Sequence, residues 1–276
     1  MSGTGTQNDP YIVTTYTELV TKAAENGKYI KLGNDIDVLS EYPDGDVPVL
    51  VVNGYIDGDG KTVSRIYNTE SKHCISFGST ADSYIMNTLF RNINTSYSLI
   101  NNTTSVQSHV TLRNCAFTGI MGNGYILDRT SGYGGSVSGC SFNFSGNDLH
   151  LTNDYYDNRY ENCNIRIKTA ASWLCYNDAR NRSATFDSCY LDVEAPGLVQ
   201  FGDESSTYVY FENSVLDITT DNSVNISGSN AHVSIFNSTH APNMAAVGNT
   251  KGVSDTHWLD VQYLQGIGFD IAEAEE

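Results

Sequence analysis

The feature that most constrains the fold is a repeat of about 24 residues that runs through most of the chain. Successive repeats are 22, 25, 23, 26, 25 and 24 residues apart when aligned on Ile93, Cys115, Cys140, Cys163, Cys189, Ser214 and Ser238. The position just before this column is occupied by Asn92, Asn114, Gly139, Asn162, Ser188, Asn213 and Asn237. Asn and Gly tolerate a left-handed backbone best, so the second column predicts a structural ladder of bend residues.

Apolar and polar residues alternate on both sides of the bend, which is the pattern of β-strands. A further register, about twelve residues later, aligns Leu127, Leu151, Cys175, Phe201 and Ile226. Each repeat therefore contains three strands. Three strands per 24-residue rung predict an all-β fold of the right-handed parallel β-helix type, a solenoid. A β-sandwich is the main competing fold.

The first residues have the pattern of a cap. Thr15 and Glu18 form a capping-box pair ahead of an apolar helical stripe that ends at Gly27, and a short helix there would cover the open end of the stack. The predicted division is a strand–helix–strand cap over 1–40, the parallel β-helix over 41–250, and a C-terminal cap with an acidic tail over 251–276.

Composition excludes several classes of function. The formal net charge is −17, and no basic stripe occurs, so we expect no nucleic-acid partner. The acidic surface also disfavours polyanionic ligands unless a cationic groove or a bridging Ca²⁺ intervenes. No apolar run of 18 residues occurs, and the opening residues lack the pattern of a signal peptide, so we expect no membrane segment and no export.

Two parts of the sequence resemble known groups of β-helix proteins. The segment Asn53–Val63 (NGYIDGDGKTV), the Asn ladder and the helix-capped start resemble the pectate-lyase-like β-helix superfamily, over nearly the whole chain. The opening, Asp9–Val13 with Leu32–Asp37, resembles β-helix proteins encoded by phages and prophages of anaerobic gut bacteria. The first resemblance implies the fold, and the second, which rests on the first 65 residues, implies a virion protein.

The segment Asn164–Lys168 contains the Arg-Ile-Lys triplet that contacts substrate in polygalacturonases. The strand register instead turns Arg166 and Lys168 outward, one rung away from Asp192 and Glu194. Neighbouring rungs lie about 4.8 Å apart, so we predict two ion pairs between rungs rather than a catalytic triplet.

A polar column ends the third strand on three consecutive rungs, where Asn-Asp, Asn-Asp and Asp-Glu pairs occur. Stacked carboxylates can hold Ca²⁺ or, at suitable spacing, act as a glycosidase acid and base. The alternative is that Asn-Asp only starts the turn after each strand. The candidate glycan or cation site consists of His150, Asp154, Tyr176, Asp178, Asp203 and Glu204. No catalytic residue, metal ligand or obligatory cofactor is assigned, and Ca²⁺ stays open.

Four cysteines share one inward column, namely Cys115, Cys140, Cys163 and Cys189. No Cys or His spacing of a metal motif accompanies them, so we predict that they pack as small core residues. Their predicted separation would permit a disulfide in an oxidising compartment.

These observations favour a non-catalytic bacteriophage virion structural protein: a β-helical appendage, tail spike, head fibre or decoration protein located in the virion. Expected partners are other virion proteins, further copies of the chain (a trimer being one arrangement) and a host surface polysaccharide used as receptor. One alternative is a polysaccharide lyase or glycoside hydrolase of the tailspike type. Another is an adhesin-like bacterial surface solenoid.

Overall fold

The computed structural model is a parallel β-solenoid, which confirms the predicted fold class. Each coil pairs with the coil before it and the coil after it. The structure describes residues 1–45, 47–68, 72–78, 83–102, 110–129, 135–154, 158–170, 173–177, 182–195, 197–201, 207–219, 226–227, 231–236, 238–240 and 254–255.

Ten strands form one sheet, here called sheet one, with one strand from each successive coil. In spatial order they are β1 (Tyr11–Val13), β2 (Tyr29–Leu32), β5 (Tyr55–Asp57), β9 (Ser83–Met86), β12 (Val110–Arg113), β14 (Gly135–Ser138), β16 (Asn158–Glu161), β19 (Arg182–Asp187), β22 (Thr207–Glu212) and β25 (Ala231–Phe236).

The other strands form the two remaining faces, which are joined into one sheet of 17 strands. In chain order they are β3 (Ile36–Asp37), β4 (Leu50–Val52), β6 (Thr62–Ser64), β7 (Tyr67–Asn68), β8 (Ile75–Phe77), β10 (Leu89–Thr95), β11 (Ile100–Asn102), β13 (Ala116–Arg129), β15 (Ser141–Asp154), β17 (Asn164–Thr169), β18 (Trp173–Asn177), β20 (Tyr190–Glu194), β21 (Gly197–Phe201), β23 (Val215–Thr219), β24 (Ile226–Ser227), β26 (Ser238–His240) and β27 (Ser254–Asp255). The faces are continuous because β13 and β15 pass around the corner between them, so that β13 pairs with both β10 and β11.

The N-terminal helix α1 (Tyr16–Ala23) packs against the first strands, as expected of a cap. The Thr15 hydroxyl accepts from the Glu18 N–H (3.2 Å), while the Glu18 carboxylate accepts from the backbone N–H of Thr14 (2.8 Å). The helix ends at Ala23, one turn before the predicted Gly27. A second helix, α2 (Val38–Glu41), has four residues. Neither described helix is long and apolar enough to cross a membrane.

A left-handed residue ends the sheet-one strand of successive coils and turns the chain into the next face. These bend residues, with φ between 50° and 61°, are Asn114, Gly139, Asn162, Ser188 and Asn213. Side-chain hydrogen bonds link some of them to the neighbouring coil. For example, the Asn213 amide Nδ2 donates to Asp187 Oδ1 (3.1 Å). The predicted bend residue Asn237 lies outside the described residues.

Asn92 does not belong to this column, so the alignment that placed it there was wrong. Strands β9 and β12 pair so that Asn87, with φ of 51°, takes the position equivalent to Asn114. Asn92 lies within β10, level with Arg65 of the preceding coil, and both residues have positive φ. Asn92 and Arg65 form a second bend in their two coils. The following strand, β13, lacks this bend and has one residue fewer than β10 in the same stretch. Because Asn92 is itself a left-handed bend residue, its segment fits the repeat pattern as well as that of Asn87, which lies five residues earlier.

The interior is filled by side chains that stack on their equivalents in the next coil. Phe117 lies between Phe90 and Phe142, with ring centroids 5.0 and 5.3 Å away and ring planes within 5° of parallel. In a second stack, on sheet one, Phe186 lies between Tyr160 and Phe211. All six rings are at most 1% exposed. The rung spacing therefore sets the distance between the rings.

The residue after each bend is small and buried, and its side chain donates to the carbonyl oxygen two residues earlier, over 2.8 to 3.4 Å. The residues in this column are Thr88, Cys115, Cys140, Cys163, Cys189 and Ser214. The structure confirms that the four cysteines are free and buried. It adds that thiol and hydroxyl are interchangeable here because each satisfies a carbonyl group at the bend, and that Thr88, not Ile93, is the equivalent residue.

We predict that Asn162→Ala lowers the free energy of unfolding by about 1–2 kcal/mol, because alanine pays the full steric cost of a left-handed backbone. Asn162→Gly should retain most of the stability, since glycine adopts the φ of 52° freely. The matched control is Asn164→Ala, at an exposed strand position, with an expected change within about 0.5 kcal/mol. Urea denaturation measures all three, and an equal loss in the glycine variant would assign the effect to the Asn162 amide instead.

Candidate functional site

Polar residues pair in register at one third-strand position on successive coils. Asn101 of β11 pairs in register with Asp128 of β13, and Asp128 pairs with Asn153 of β15. Asn153 in turn pairs with Tyr176 of β18. Asn101 and Asp128 therefore hold, on the two preceding coils, the position that Asn153 holds in β15.

Of the predicted site residues, His150 is described with its side chain. It is half-buried, its ring stacks on Tyr125 with centroids 4.8 Å apart, and its Nε2 lies 3.8 Å from Asp148 Oδ1. His150 lies three residues before the level of Tyr176 and Asn153, so the register does not bring it beside Tyr176.

The other predicted site residues are described only in part or not at all. Asp154 is the last residue of β15 and pairs in register with Arg129, and Tyr176 lies within β18. The side chains of these two residues lie outside the described part of the chain. The same holds for the whole of Asp178, Asp203 and Glu204, so the candidate site stays a prediction. The predicted alignment of the three polar pairs is wrong, however, because Asn153 pairs with Tyr176 rather than with Asn177, and Asn177 pairs with Phe201.

A polar cluster forms around Asn101 and Asp128 of this column. Asn101 and Asp128 are 2% and 5% exposed. The Ser98 hydroxyl donates to Asp128 Oδ2 (3.2 Å), and Asn101 Nδ2 lies 2.6 Å from His73 Nε2. The His73 imidazole packs on the Tyr97 ring, with centroids 4.9 Å apart. These five residues, here called the His73 cluster, come from three consecutive coils.

Two buried atoms of the His73 cluster, His73 Nδ1 and Asn101 Oδ1, have no hydrogen-bond partner among the described residues. Leaving a buried polar atom unpaired costs about 1–3 kcal/mol. A hydroxyl group that reached these atoms would therefore gain two hydrogen bonds. The cluster is equipped to bind a polyhydroxylated molecule or an ordered water.

Electrostatics keep the imidazole of this cluster neutral. Burial lowers the pKa of His73, and the Asp128 carboxylate opposes that shift through its charge. A neutral ring can accept a hydrogen bond at one nitrogen and donate from the other. Among the described residues, no three His, Cys, Asp or Glu side chains come together as a metal-binding group, and Ca²⁺ stays a prediction for the later coils.

The His73 cluster was not predicted from the sequence, because the predicted alignment of the third strands is off by one residue or more. Leu127 pairs with Thr152, not with Leu151, and Cys175 pairs with Val199, not with Phe201. Leu151 and Thr152 are both fully buried, since the corner before the third strand interrupts the period-two alternation. A signal was present, because Asn101-Asn102 and Asp128-Arg129 end their strands as Asn153-Asp154 does.

The Arg-Ile-Lys triplet is structural, as the register predicted. Arg166 Nε lies 2.7 Å from Asp192 Oδ2, and Lys168 Nζ lies 2.6 Å from Glu194 Oε2, each pair joining adjacent coils. All four side chains are more than a third exposed, so each pair contributes only about 0–1 kcal/mol. The predicted ion pairs are confirmed.

Comparisons with known proteins assign no family. No protein-family model and no curated protein matches the sequence. Two chains of solved structures match the fold, and one of them is the SRRP of L. reuteri 53608. It is 12% identical, with a TM-score of 0.34 over 89% of this chain and 96% of that one. A likeness of this degree carries no conclusion about function.

We predict that His73 titrates below the ordinary histidine value of about 6.5. In the pH range between the two values, the unfolded chain binds a proton that the folded chain does not. Stability should therefore rise with pH through this range and fall as the pH drops below about 6.5. NMR titration of the ring protons gives the pKa directly, and Tyr97→Ala should raise it by exposing the ring. A wild-type pKa at or above 6.5 would contradict the burial argument.

Proposed function

We propose that this protein is a non-catalytic structural protein of a bacteriophage particle: a β-helical appendage, spike, fibre or decoration protein. The observation that supports the proposal is the unbroken ladder of sheet one, in which ten strands pair in order from β1 to β25. In such a ladder each coil is hydrogen-bonded to the next, so few positions along the axis can separate easily. The resemblance of the first 65 residues to phage proteins supports the same assignment.

The side chains add to the stiffness of the ladder. Inside, aromatic rings stack from coil to coil, and at the bends each thiol or hydroxyl holds a carbonyl group. Outside, ion pairs such as Arg166–Asp192 tie one coil to the next. In a solenoid, stability is approximately the sum of coil and interface terms, so these contacts reinforce the whole rod. A stiff, acidic rod suits a part that projects from a particle and resists non-specific adhesion.

The proposed function also includes a superfamily and a set of partners. The Asn-rich bend column and the helix that packs on the first strands support placement in the pectate-lyase-like superfamily. The proposed partners are other virion proteins, further copies of this chain and a host surface polysaccharide. A trimer is one arrangement that fits a projecting rod.

The virion assignment predicts that the protein is recovered with purified particles. We expect density-gradient-purified virions from an induced lysogen to contain it at a fixed ratio to the major capsid protein, measured by quantitative mass spectrometry. A cytosolic host protein measured in the same fractions serves as the control for carry-over. Absence from particles, with recovery on the bacterial surface, would instead support the adhesin-like alternative.

A second candidate function is a polysaccharide lyase or glycoside hydrolase. It is favoured by the third-strand column, where Asp154 directly follows Asn153, the residue level with Asp128. Carboxylates on neighbouring coils can supply the spacing that either retaining or inverting hydrolysis needs.

The two functions differ in what the purified protein does to a capsule. If the structural proposal is correct, wild-type protein leaves the capsular polysaccharide of the host intact, as measured by its molecular-size distribution. Shortening of the polysaccharide by the wild type, but not by Asp154→Asn/Asp178→Asn, would establish the enzyme. Asp192→Asn is the matched control, because its carboxylate lies on another face in an ion pair.

A further inference from the structure

We infer that the first coils carry a saccharide-binding groove built on the outward side chains of Tyr29, Tyr55 and Tyr84. This inference deepens the proposed function and rests on it for the biological source of the saccharide, a host surface glycan. The groove lies on sheet one, away from the third-strand column, and belongs to no site described above. Its volume is about 210 Å³.

The three tyrosines occupy one outward column because β2, β5 and β9 pair in register at these residues. Their ring centroids lie 4.4 and 4.7 Å apart, but the ring planes are tilted by 32° and 43°. The buried phenylalanine stack differs, since its planes stay within 5° of parallel. The tyrosines are half-buried and all three line the groove, so part of each tilted ring is exposed there.

Polar groups surround this aromatic platform. Asp57 lies in the next outward position along β5, and its Oδ1 is held by the Asp59 N–H (2.9 Å) and by Asn87 Nδ2 (3.0 Å). Asp57 Oδ2 has no hydrogen-bond donor among the described residues and remains able to accept. Lys31 Nζ lies 3.1 Å from Asp59 Oδ2, and Gln7 lines the end of the groove. Each polar group at the rim is thus held in place by a neighbour or by the fold.

The tyrosine hydroxyls complete the set of hydrogen-bonding groups. None of the three donates to or accepts from another residue in the described part of the chain. Burial, followed by the charges of Tyr29 and Asp57, raises the pKa of Tyr84, so its hydroxyl stays protonated and can donate at any physiological pH. The platform therefore offers apolar ring surface and hydroxyl groups side by side.

This combination matches the chemistry of a sugar ring. A pyranose has an apolar C–H face that packs on aromatic rings and a rim of hydroxyl groups that bonds to carboxylates, amides and phenols. The tyrosines repeat at the rung spacing of about 4.8 Å, which is close to the length of one residue in an extended glycan. A short glycan lying along the solenoid axis would place one sugar against each coil.

Charge narrows the class of glycan. Asp57 and Lys31 line the groove, Asp59 pairs with Lys31, and Arg113 acts on Tyr84 through its charge. These local charges offset one another, but the chain as a whole has a net charge of −17. That net charge repels an anionic polysaccharide, whereas a neutral or amino sugar is not repelled. We therefore assign the groove to uncharged or amino-sugar glycans rather than to uronates or sialylated chains.

The test is binding of the full chain to a printed array of neutral, amino and acidic microbial oligosaccharides, followed by calorimetry with the strongest binder. We expect neutral or amino glycans to bind and Tyr55→Ala to weaken binding roughly fivefold to tenfold. Tyr55→Phe, which keeps the ring, should lose less. The matched control is Tyr210→Ala, which lies in the same outward column five coils away and should bind like the wild type.

If Tyr55→Ala does not fold, iodination of the wild-type protein replaces it. Bound glycan should then protect Tyr29, Tyr55 and Tyr84, mapped by mass spectrometry, while Tyr210 reacts unchanged. The inference is overturned if no array glycan binds, if acidic glycans bind best, if proline-rich peptides bind instead, or if Tyr55→Ala and Tyr210→Ala behave alike.

The virion proposal and the saccharide-binding groove can be refuted independently of each other. A protein that is absent from particles but binds neutral glycans through Tyr55 refutes the virion proposal and leaves the groove intact. A virion protein that binds no glycan refutes the groove alone.

Discussion

Parallel pairing between coils is the interaction on which the rest of this structure depends. It stacks equivalent residues at a separation of about 4.8 Å, so every side chain must fit against its own counterparts in the coils on either side. Inside the stack, this requirement produces the near-parallel phenylalanine rings around Phe117 and the column of thiols and hydroxyls at the bends. Outside, it favours opposite charges on neighbouring coils, as in Arg166–Asp192.

The regular stack is interrupted at the two places where candidate binding groups lie. The tyrosines of the first coils are tilted against one another by 32° and 43°, and they line the groove on sheet one. At the third strand, Asn101 and Asp128 are buried together with their polar atoms. Buried polar atoms need partners to offset their lost hydration. The regular coils thus support the molecule, and the irregular ones supply its candidate binding groups.

The two candidate surfaces differ in physical character. The His73 cluster is partly buried, its imidazole is neutral, and two of its buried atoms have no hydrogen-bond partner among the described residues. The tyrosine groove is open and combines ring surface with hydroxyls and a carboxylate. They lie on different faces, so ligand binding at one does not require the other. An elongated structural protein can therefore present more than one contact along its length.

The sequence by itself determined the coil repeat, the left-handed bends, the inward thiols and the ion pairs of Arg166 and Lys168. These depend on period-two alternation and on Asn or Gly at a bend, both of which are local properties. Only the tertiary structure decided the register at the corners. There Asn87, rather than Asn92, is equivalent to Asn114, and Thr152, rather than Leu151, pairs with Leu127. The physical reason is that two alignments fit the local pattern at each place: Asn87 and Asn92 are both left-handed bend residues, and Leu151 and Thr152 are both buried. Backbone pairing with the neighbouring coil selects one of the two alignments. The grouping of His73 with Asn101, and of the three tyrosines, follows from that pairing across distant parts of the chain.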